Sequence, residues 1–360
     1  VFPGFTAPKL EWVRVHEPHL FKRTAKILLP ASYLNFYLTG DHVSDKSDSA
    51  GTSGMDVGQR NWSDYLLSVS ELTVDQMPRL VEGSEAAGYL RKSLTNKWGL
   101  SGNVIVAGGA GDNAAAACGI GALDEGQGFV SLGTSGVLLA ARDGYRPAPE
   151  TAVHTFCHAV PGRWYQMGVM LSATDSLNWL ARIVGKDPTD LTAALGDTLV
   201  TPGNVRFLPY LSGERTPHND AEIRGSFTGL SAGTTLEDIS RAVLEGVAFG
   251  LRDSLDALAA TDAKLTTMFA IGGGSASEYW IRLISTVLGT PIELPASGEF
   301  GAALGAARLG IIASTDVSPE SIVKPPSVRE QVLPEDSLIA EYEEAYQAFR
   351  AAYPGTKSIQ

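Results

Sequence analysis

Between residues 104 and 136 the chain twice interrupts an apolar run with glycine, at VIVAGGAGDNAAAA and at GFVSLGTSG. Glycine in a strand interior loses conformational freedom and fills no volume, so packing alone does not account for Gly-Thr-Ser-Gly between two apolar strands. Such a turn points backbone N–H groups inward and offers an anion donors with no side chain in the way. The pattern predicts a phosphate turn at Gly133, Thr134, Ser135 and Gly136. Asp112, just past the first glycine cluster and outside any evident ion pair, is the candidate base for an acceptor hydroxyl. Acid and turn together point to phosphoryl transfer.

A chain of 360 residues with 44% hydrophobic and 19% charged residues is ordinarily globular and long enough for two domains. Its net charge of −12 argues against general affinity for nucleic acid or anionic membranes. No apolar run approaches the roughly 18 residues that span a bilayer, and VFPGFTAPKLEW lacks the layout of a signal peptide. Two cysteines, Cys118 and Cys157, fit a reducing, cytoplasmic setting.

Residues 1–103 read as mixed α/β. GFTAPKLEWVRVHEP predicts a short helix, and KILLPASYLNFYLTG a second one capped by Ser32 and stopped by Gly40. DHVSDKSDSAGTSGMDVGQRNW, with four aspartates, reads as a solvated connecting loop in preference to a metal site, because the spacing matches no calcium loop. Its own GTSG, at 51–54, lacks a preceding strand and is set aside.

From 104 onward, GQGFVSLGTS, GVLLAAR and GRWYQMGVM predict three successive strands. Then follow a helix at SATDSLNWLARIVG, a strand at VRFLPYL, and a long helix from Thr235 whose apolar residues step by three or four from Leu236 to Leu258. TTMFAIGGG predicts the next strand, SEYWIRLISTVL a helix, PIELP a strand and GAALGAARLGIIA a helix; Pro-rich VKPPSV leads to a final amphipathic helix. Three strands, then helix and strand in alternation, is the order of the ribonuclease-H-like unit of the actin and hexokinase ATPases, whereas a plain doubly wound fold alternates from its first strand.

These residues resemble the FGGY family of carbohydrate kinases. GSFTGLSAGTTLEDISRAVLE at 225–245 fits its C-terminal signature, and GFTAPKLEWV fits its N-terminal signature more loosely. AGGAGDNAAAACG is similar to the segment bearing the family's catalytic aspartate, SLGTSG to its second phosphate turn and AIGGGSASEYW to its adenosine motif. LSGERTPHND, HTFCHAVPGRW and Asn113 are most similar to the branch that phosphorylates xylulose. The resemblance implies an actin/hexokinase-type fold of two lobes: 1–106 the remainder of the sugar-binding lobe, 107–315 the ATPase lobe, and 316–360 a linker and C-terminal helix. It implies ATP with Mg2+ as cofactor, and conversion of D-xylulose to D-xylulose 5-phosphate at its C5 hydroxyl. Asp112 would be the base, Asn113 would hold a neighbouring hydroxyl, Gly133 to Gly136 would bind phosphates, and Gly273, Gly274, Ser275 and Glu278 would sit at the adenosine. Another family sugar or polyol (ribulose, gluconate, glycerol) and a catalytically incomplete nucleotide-binding fragment stay open, as does a homodimer. The family's first phosphate turn, Asp-x-Gly-Thr-Ser, and its sugar-contacting Met-His pair do not precede Val1, so these 360 residues alone are expected to turn over little.

Each assignment has a plainer rival. Asp112 could cap a helix beginning at Asn113, the 133–136 turn could be a tight hairpin, and three glycines at 272–274 could merely permit close packing. Gly246 and Gly250, one turn apart, read as a helix-crossing site. G-x-G-x-x-A at 109–114 has the outline of a dinucleotide fingerprint but would set Asp112 against a pyrophosphate. His154, Cys157 and His158 lack a second ligand cluster for zinc. Neither a Walker motif nor a nucleophile elbow occurs.

Overall fold

The computed structural model describes residues 2–296 and 301–359. In the N-terminal part, helix α1 (Thr6–His16) and helix α2 (Pro30–Thr39) precede strand β1 (Val43–Asp45) and the short helix α3 (Lys46–Ser49); β1 pairs in parallel with β2 (Arg79–Val81). Ser32 does not cap α2, whose N-cap is Leu29; it lies buried and its hydroxyl donates to Ser44 Oγ at 2.7 Å. Gly40 stops the helix in the left-handed region, as expected. Much of the aspartate-rich stretch from 43 to 55 is buried rather than solvated, with Ser44, Asp45, Ser47, Ser49 and Thr52 all inside. Its polar side chains can be buried because they satisfy one another: Ser44 meets Ser49 at 2.8 Å, and Asp45 caps α3 by accepting the Asp48 N–H at 2.9 Å.

Helix α4 (Asp112–Ile120) leads into the main sheet, built from β3 (Gly128–Leu132), β4 (Gly136–Arg142), β5 (His154–Cys157) and β6 (Trp164–Met170). Helix α5 (Thr174–Val184), the ribbon β7 (Arg206–Leu208) with β8 (Ser226–Thr228), and helix α6 (Leu236–Ala259) follow. The chain closes with β9 (Met268–Ile271), α7 (Glu278–Leu288), β10 (Ile292–Pro295), α8 (Ala302–Ser314), β11 (Val328–Val332) and α9 (Ile339–Ser358). The seven-stranded sheet has the order β11-β10-β9-β3-β4-β6-β5, parallel where β9 meets β3 and β10, antiparallel elsewhere. Its middle five strands are the ribonuclease-H-like order expected from the sequence.

Three expectations change. VRFLPYL stays out of the main sheet: Pro209 lacks the N–H a central ladder needs, and β7 stops before it to pair with β8. Strands β5 and β11 were not expected; β11 carries three charged or amide residues in five and sits at the sheet's edge, where an apolar alternation is not required. Gly246 does not mark a helix crossing, because a Cβ there would come within 2.3 Å of the Phe207 carbonyl of β7.

Helices cover both faces of the sheet, so its strands are apolar on both sides. Val130, Leu132, Leu138 and Ala140 pack with α6 and α7, while Phe129, Leu139, Met167 and Phe269 pack with α4 and α8. Helix α6 opens with the expected capping box, Thr235 Oγ1 accepting the Asp238 N–H and Asp238 Oδ2 accepting the Thr235 N–H. The tightest helix contact is α4 on α8, where a Cβ on Gly305 would lie 1.7 Å from the Ala115 carbonyl oxygen. Gly305→Ala should therefore lower stability by about 3 kcal/mol. Gly310→Ala in the same helix, where a Cβ meets nothing within 4 Å, should be neutral or slightly stabilising. Thermal unfolding of the two variants checks this, and equal midpoints would contradict it.

Candidate active site

Asp112 is the first residue of α4, whose N-cap is Gly111 with no side-chain cap, so the capping role does not describe it. Its exposed carboxylate accepts the Asn113 N–H at 2.7 Å and Asn113 Nδ2–H at 3.0 Å, beside the positive end of the helix. The preceding loop is fixed from the N-terminal part: the Gly111 N–H donates to Ser47 Oγ at 3.0 Å, and Ser47 in turn donates to Asp45.

Asp112 and Asn113 line a cavity of about 710 Å³ together with Gly273, Ser275, Glu278 and Arg329. The ends of β9 and β10, Glu278 at the start of α7 and Gly301 and Ala302 at the start of α8 close it, so three helix N-termini face one hollow. A second cavity of about 490 Å³ is lined by Gly133, Thr134, Thr174, Asn178, Gly274 and Trp280. Gly273 and Ala276 belong to both walls, so the cavities are neighbours across that ridge.

The 133–135 turn is a tight hairpin, closed by the pair Leu132 and Gly136. Its carbonyls are taken up by the start of α5: Gly133 accepts the Thr174 N–H (3.0 Å) and hydroxyl (2.8 Å), and Thr134 accepts the Ala173 N–H (2.8 Å). Among the described residues nothing accepts the N–H groups of Thr134 and Ser135, which leaves them open to solvent. The hairpin and the anion turn are thus compatible. Ser135 is exposed at the tip and Gly136, buried against Met170 and Ala173, begins β4; neither lines either of these two cavities.

At 272–274 packing accounts for two of the three glycines. Gly272 has φ +86°, and a Cβ on Gly274 would sit 2.7 Å from Leu132 Cβ, whereas one on Gly273 would meet nothing within 4 Å. Ser275 donates to the Gly272 carbonyl at 2.7 Å and holds the turn, and Glu278 begins α7.

The structure gathers Asp112, Asn113, Gly273, Ser275 and Glu278 in one cavity and Gly133, Thr134, Gly273 and Gly274 in the other. Sequence reasoning missed Thr174 and Asn178, which lie on a helix that also carries Asp175, Ser176 and Arg182, so that their polarity does not set them apart. It also missed Arg329 and the 45–48 segment. His154, Cys157 and His158 do not converge on a metal. His154 packs against Phe2, Phe5 and Phe156, and burial followed by the charge of Arg215 pushes its pKa down to about 3. His158 meets the Ala122 carbonyl at 3.2 Å, and Cys157 donates to the Val57 carbonyl at 3.6 Å.

Burial first, then the charges of Asp45 and Asp112, push Asp48 up to about 6. A carboxyl raised in the folded state binds its proton more tightly there than when unfolded, so stability falls as pH rises from about 4 to about 6. Across that window the wild-type thermal midpoint should fall relative to Asp48→Asn, the difference in stability amounting to about 3 kcal/mol before levelling off. Parallel pH profiles for the two proteins would show that Asp48 titrates normally.

Comparison with known proteins agrees with this geometry. Residues 1–119 match the N-terminal domain, and residues 128–314 the C-terminal domain, of the FGGY family of carbohydrate kinases. The chain is 44% identical to the xylulose kinase of Escherichia coli K12, over 98% of its own length and 73% of that protein's. It is 42% identical to the xylulose kinase of Klebsiella pneumoniae, over 100% and 74%. A crystal structure from Brucella ovis, described as a xyloylose kinase, superimposes with a TM-score of 0.98 at 56% identity, covering 100% of this chain and 74% of that one. With both family domains matched along nearly its whole length, and with their actin/hexokinase-like ATPase fold, the chain belongs to the FGGY family of carbohydrate kinases.

Proposed function

We propose that the protein transfers the γ-phosphoryl group of ATP to the C5 hydroxyl of D-xylulose, giving D-xylulose 5-phosphate and ADP. The observation that carries this is the exposed Asp112 carboxylate at a helix N-terminus in the 710 Å³ cavity, next to a hollow that holds a free-amide turn. The relatives named above supply the sugar. Asp112 takes the hydroxyl proton as the oxygen bonds to the γ-phosphorus, and the bond to the bridging oxygen of ADP breaks. Asn113, whose amide already meets Asp112, holds a neighbouring sugar hydroxyl. Gly133, Thr134 and the N–H of Ser135 steady the phosphates, and Gly273, Gly274, Ser275 and Glu278 flank the adenosine. Thr174 and Asn178 complete that wall of the second cavity. On this assignment residues 1–106 serve the sugar, 107–315 the nucleotide, and 316–360 brace the latter.

Magnesium, when bound, neutralises phosphate charge as the γ-phosphoryl moves. It prefers few protein oxygens, several waters and the phosphates themselves, and the cavity's two carboxylates, Asp112 and Glu278, fit that donor set and would hold the ion, Asp112 through water.

Asp112→Asn should lower kcat for D-xylulose by about a thousandfold while Mg·ATP affinity, measured by titration calorimetry, stays within about twofold. Sugar-dependent ADP release undiminished in the variant would remove Asp112 from the chemistry. Among D-xylulose, ribulose, gluconate and glycerol, D-xylulose should give the highest kcat/KM, and a higher value for another would reassign the substrate. Gly273→Val fills the ridge between the cavities at a position with free space, so its thermal midpoint should hold while nucleotide binding weakens by about tenfold or more. Unchanged nucleotide affinity in a folded variant would place the nucleotide elsewhere.

A further inference from the structure

Edge strand β11 pairs with β10 in a register that slips once: Leu294 faces Glu330, and the next residue, Pro295, faces Val328. Arg329 is the residue left over, the unpaired member of a β-bulge. Bulges at sheet edges bend the strand and re-aim a side chain, commonly beside a functional site. Here the bulge adjoins the cavity that holds Asp112, and Leu294, Pro295, Ala296 and Arg329 all contribute to its wall.

The charges around the two cavities make this residue singular. The wall of the second cavity contains no charged side chain, and that of the first contains the carboxylates of Asp112 and Glu278. Among the described residues lining either cavity, Arg329 is the one cation. It is exposed, and among the described residues it has no ion-pair partner. A polyanionic ligand entering between two carboxylates meets repulsion that amide donors, helix ends and the magnesium it carries offset only in part. A guanidinium presents several donors in a flat fork suited to phosphate oxygens, with a charge that persists at any working pH.

We propose that Arg329, presented by the β11 bulge, is a specificity-determining residue that pairs with a phosphate group of the nucleotide in the Asp112 cavity and selects nucleoside polyphosphates over less charged nucleosides. This rests on the proposed binding of ATP across the two cavities. The alternative, an arginine that only guards a sheet edge, predicts no ligand dependence at all.

Titration calorimetry of wild type, Arg329→Ala and Arg329→Lys with Mg·ATP, Mg·ADP and adenosine, at low and at physiological salt, decides it. Arg329→Ala should weaken Mg·ATP about five- to tenfold at low salt and leave adenosine unchanged. Arg329→Lys should recover part of the loss, and added salt should narrow the gap between wild type and Arg329→Ala. Thermal midpoints within about 2 °C of wild type establish that the variants fold. Equal Mg·ATP affinity in wild type and Arg329→Ala overturns the proposal while leaving the cavity assignment intact. Equal losses for Mg·ATP and adenosine also overturn it, since shape rather than charge would then be at work. Absence of nucleotide binding in wild type overturns the cavity assignment and this proposal with it.

Discussion

The site depends on two helices that cross with almost no side chains between them. Helix α4 is a run of alanines ending in Cys118, Gly119 and Ile120, and α8 offers Gly305 where the Ala115 carbonyl approaches. A second contact brings Gly119 against the Gly301 carbonyl at the start of α8. Arg308 locks the crossing by donating to the carbonyls of Cys118 and Gly119 at 2.8 and 2.9 Å, where the last turn of α4 would otherwise lack partners. Backbone packed on backbone tolerates little sliding, so the beginnings of both helices are held at one end of the sheet. That is where Asp112 and Gly301 share a cavity. The abundance of alanine and glycine in these stretches is a packing requirement with a chemical result.

The N-terminal part is tied to this frame by charge and hydrogen bonds more than by apolar contact. Glu82, buried, is met by Lys46 at 2.8 Å and by Arg60. The Arg60 guanidinium also donates to the Arg163 carbonyl at 2.6 Å and lies over the Trp164 ring of β6 at 5.1 Å. A pair so placed is held by geometry, since removing one partner strands the other charge in a poorly hydrated spot. Ser47, on the same short helix as Lys46, accepts the Gly111 N–H just before Asp112. The segment that pairs with Glu82 thus also positions the loop of the candidate base, and the like charges of Asp45 and Asp112 are felt at Asp48.

What the sequence makes legible follows from where a local signal exists. Strands β3, β4 and β6 and helices α6 and α7 announce themselves because burial on one or both faces forces a strict apolar period, and Thr235 with Asp238 caps α6 as its spacing indicates. Asp112 and the 133–136 turn are legible because glycine and a lone acid are costly residues to place without a use. The aspartate-rich stretch misleads, since its burial rests on hydrogen bonds such as Ser44 to Ser49 and Asp48 N–H to Asp45, which a polar composition does not announce. Strand β11 misleads for the opposite reason: an edge strand with exposed Val328, Arg329 and Gln331 has no apolar pattern to show. Arg329 and Asn178 reach their cavities only through tertiary folding, and nothing in their neighbours' identities marks them.

The division into two cavities bears on how a phosphoryl group could travel. Thr134 with its free amide belongs to one hollow and Asp112 to the other, so a nucleotide steadied by the first must extend its terminal phosphate over the ridge at Gly273 to reach the second. A ridge built from side chains would block that path. Here it consists of Gly273 and Ala276, with open space above Gly273, while Gly272 and Gly274 press the turn down onto Leu132 of β3. The same strand ends in the hairpin, so turn and ridge are fixed to one rigid element and their separation changes little. A glycine triplet that packing explains at its first and third positions is left with its middle one facing the ligand space, and that position is where the two hollows meet.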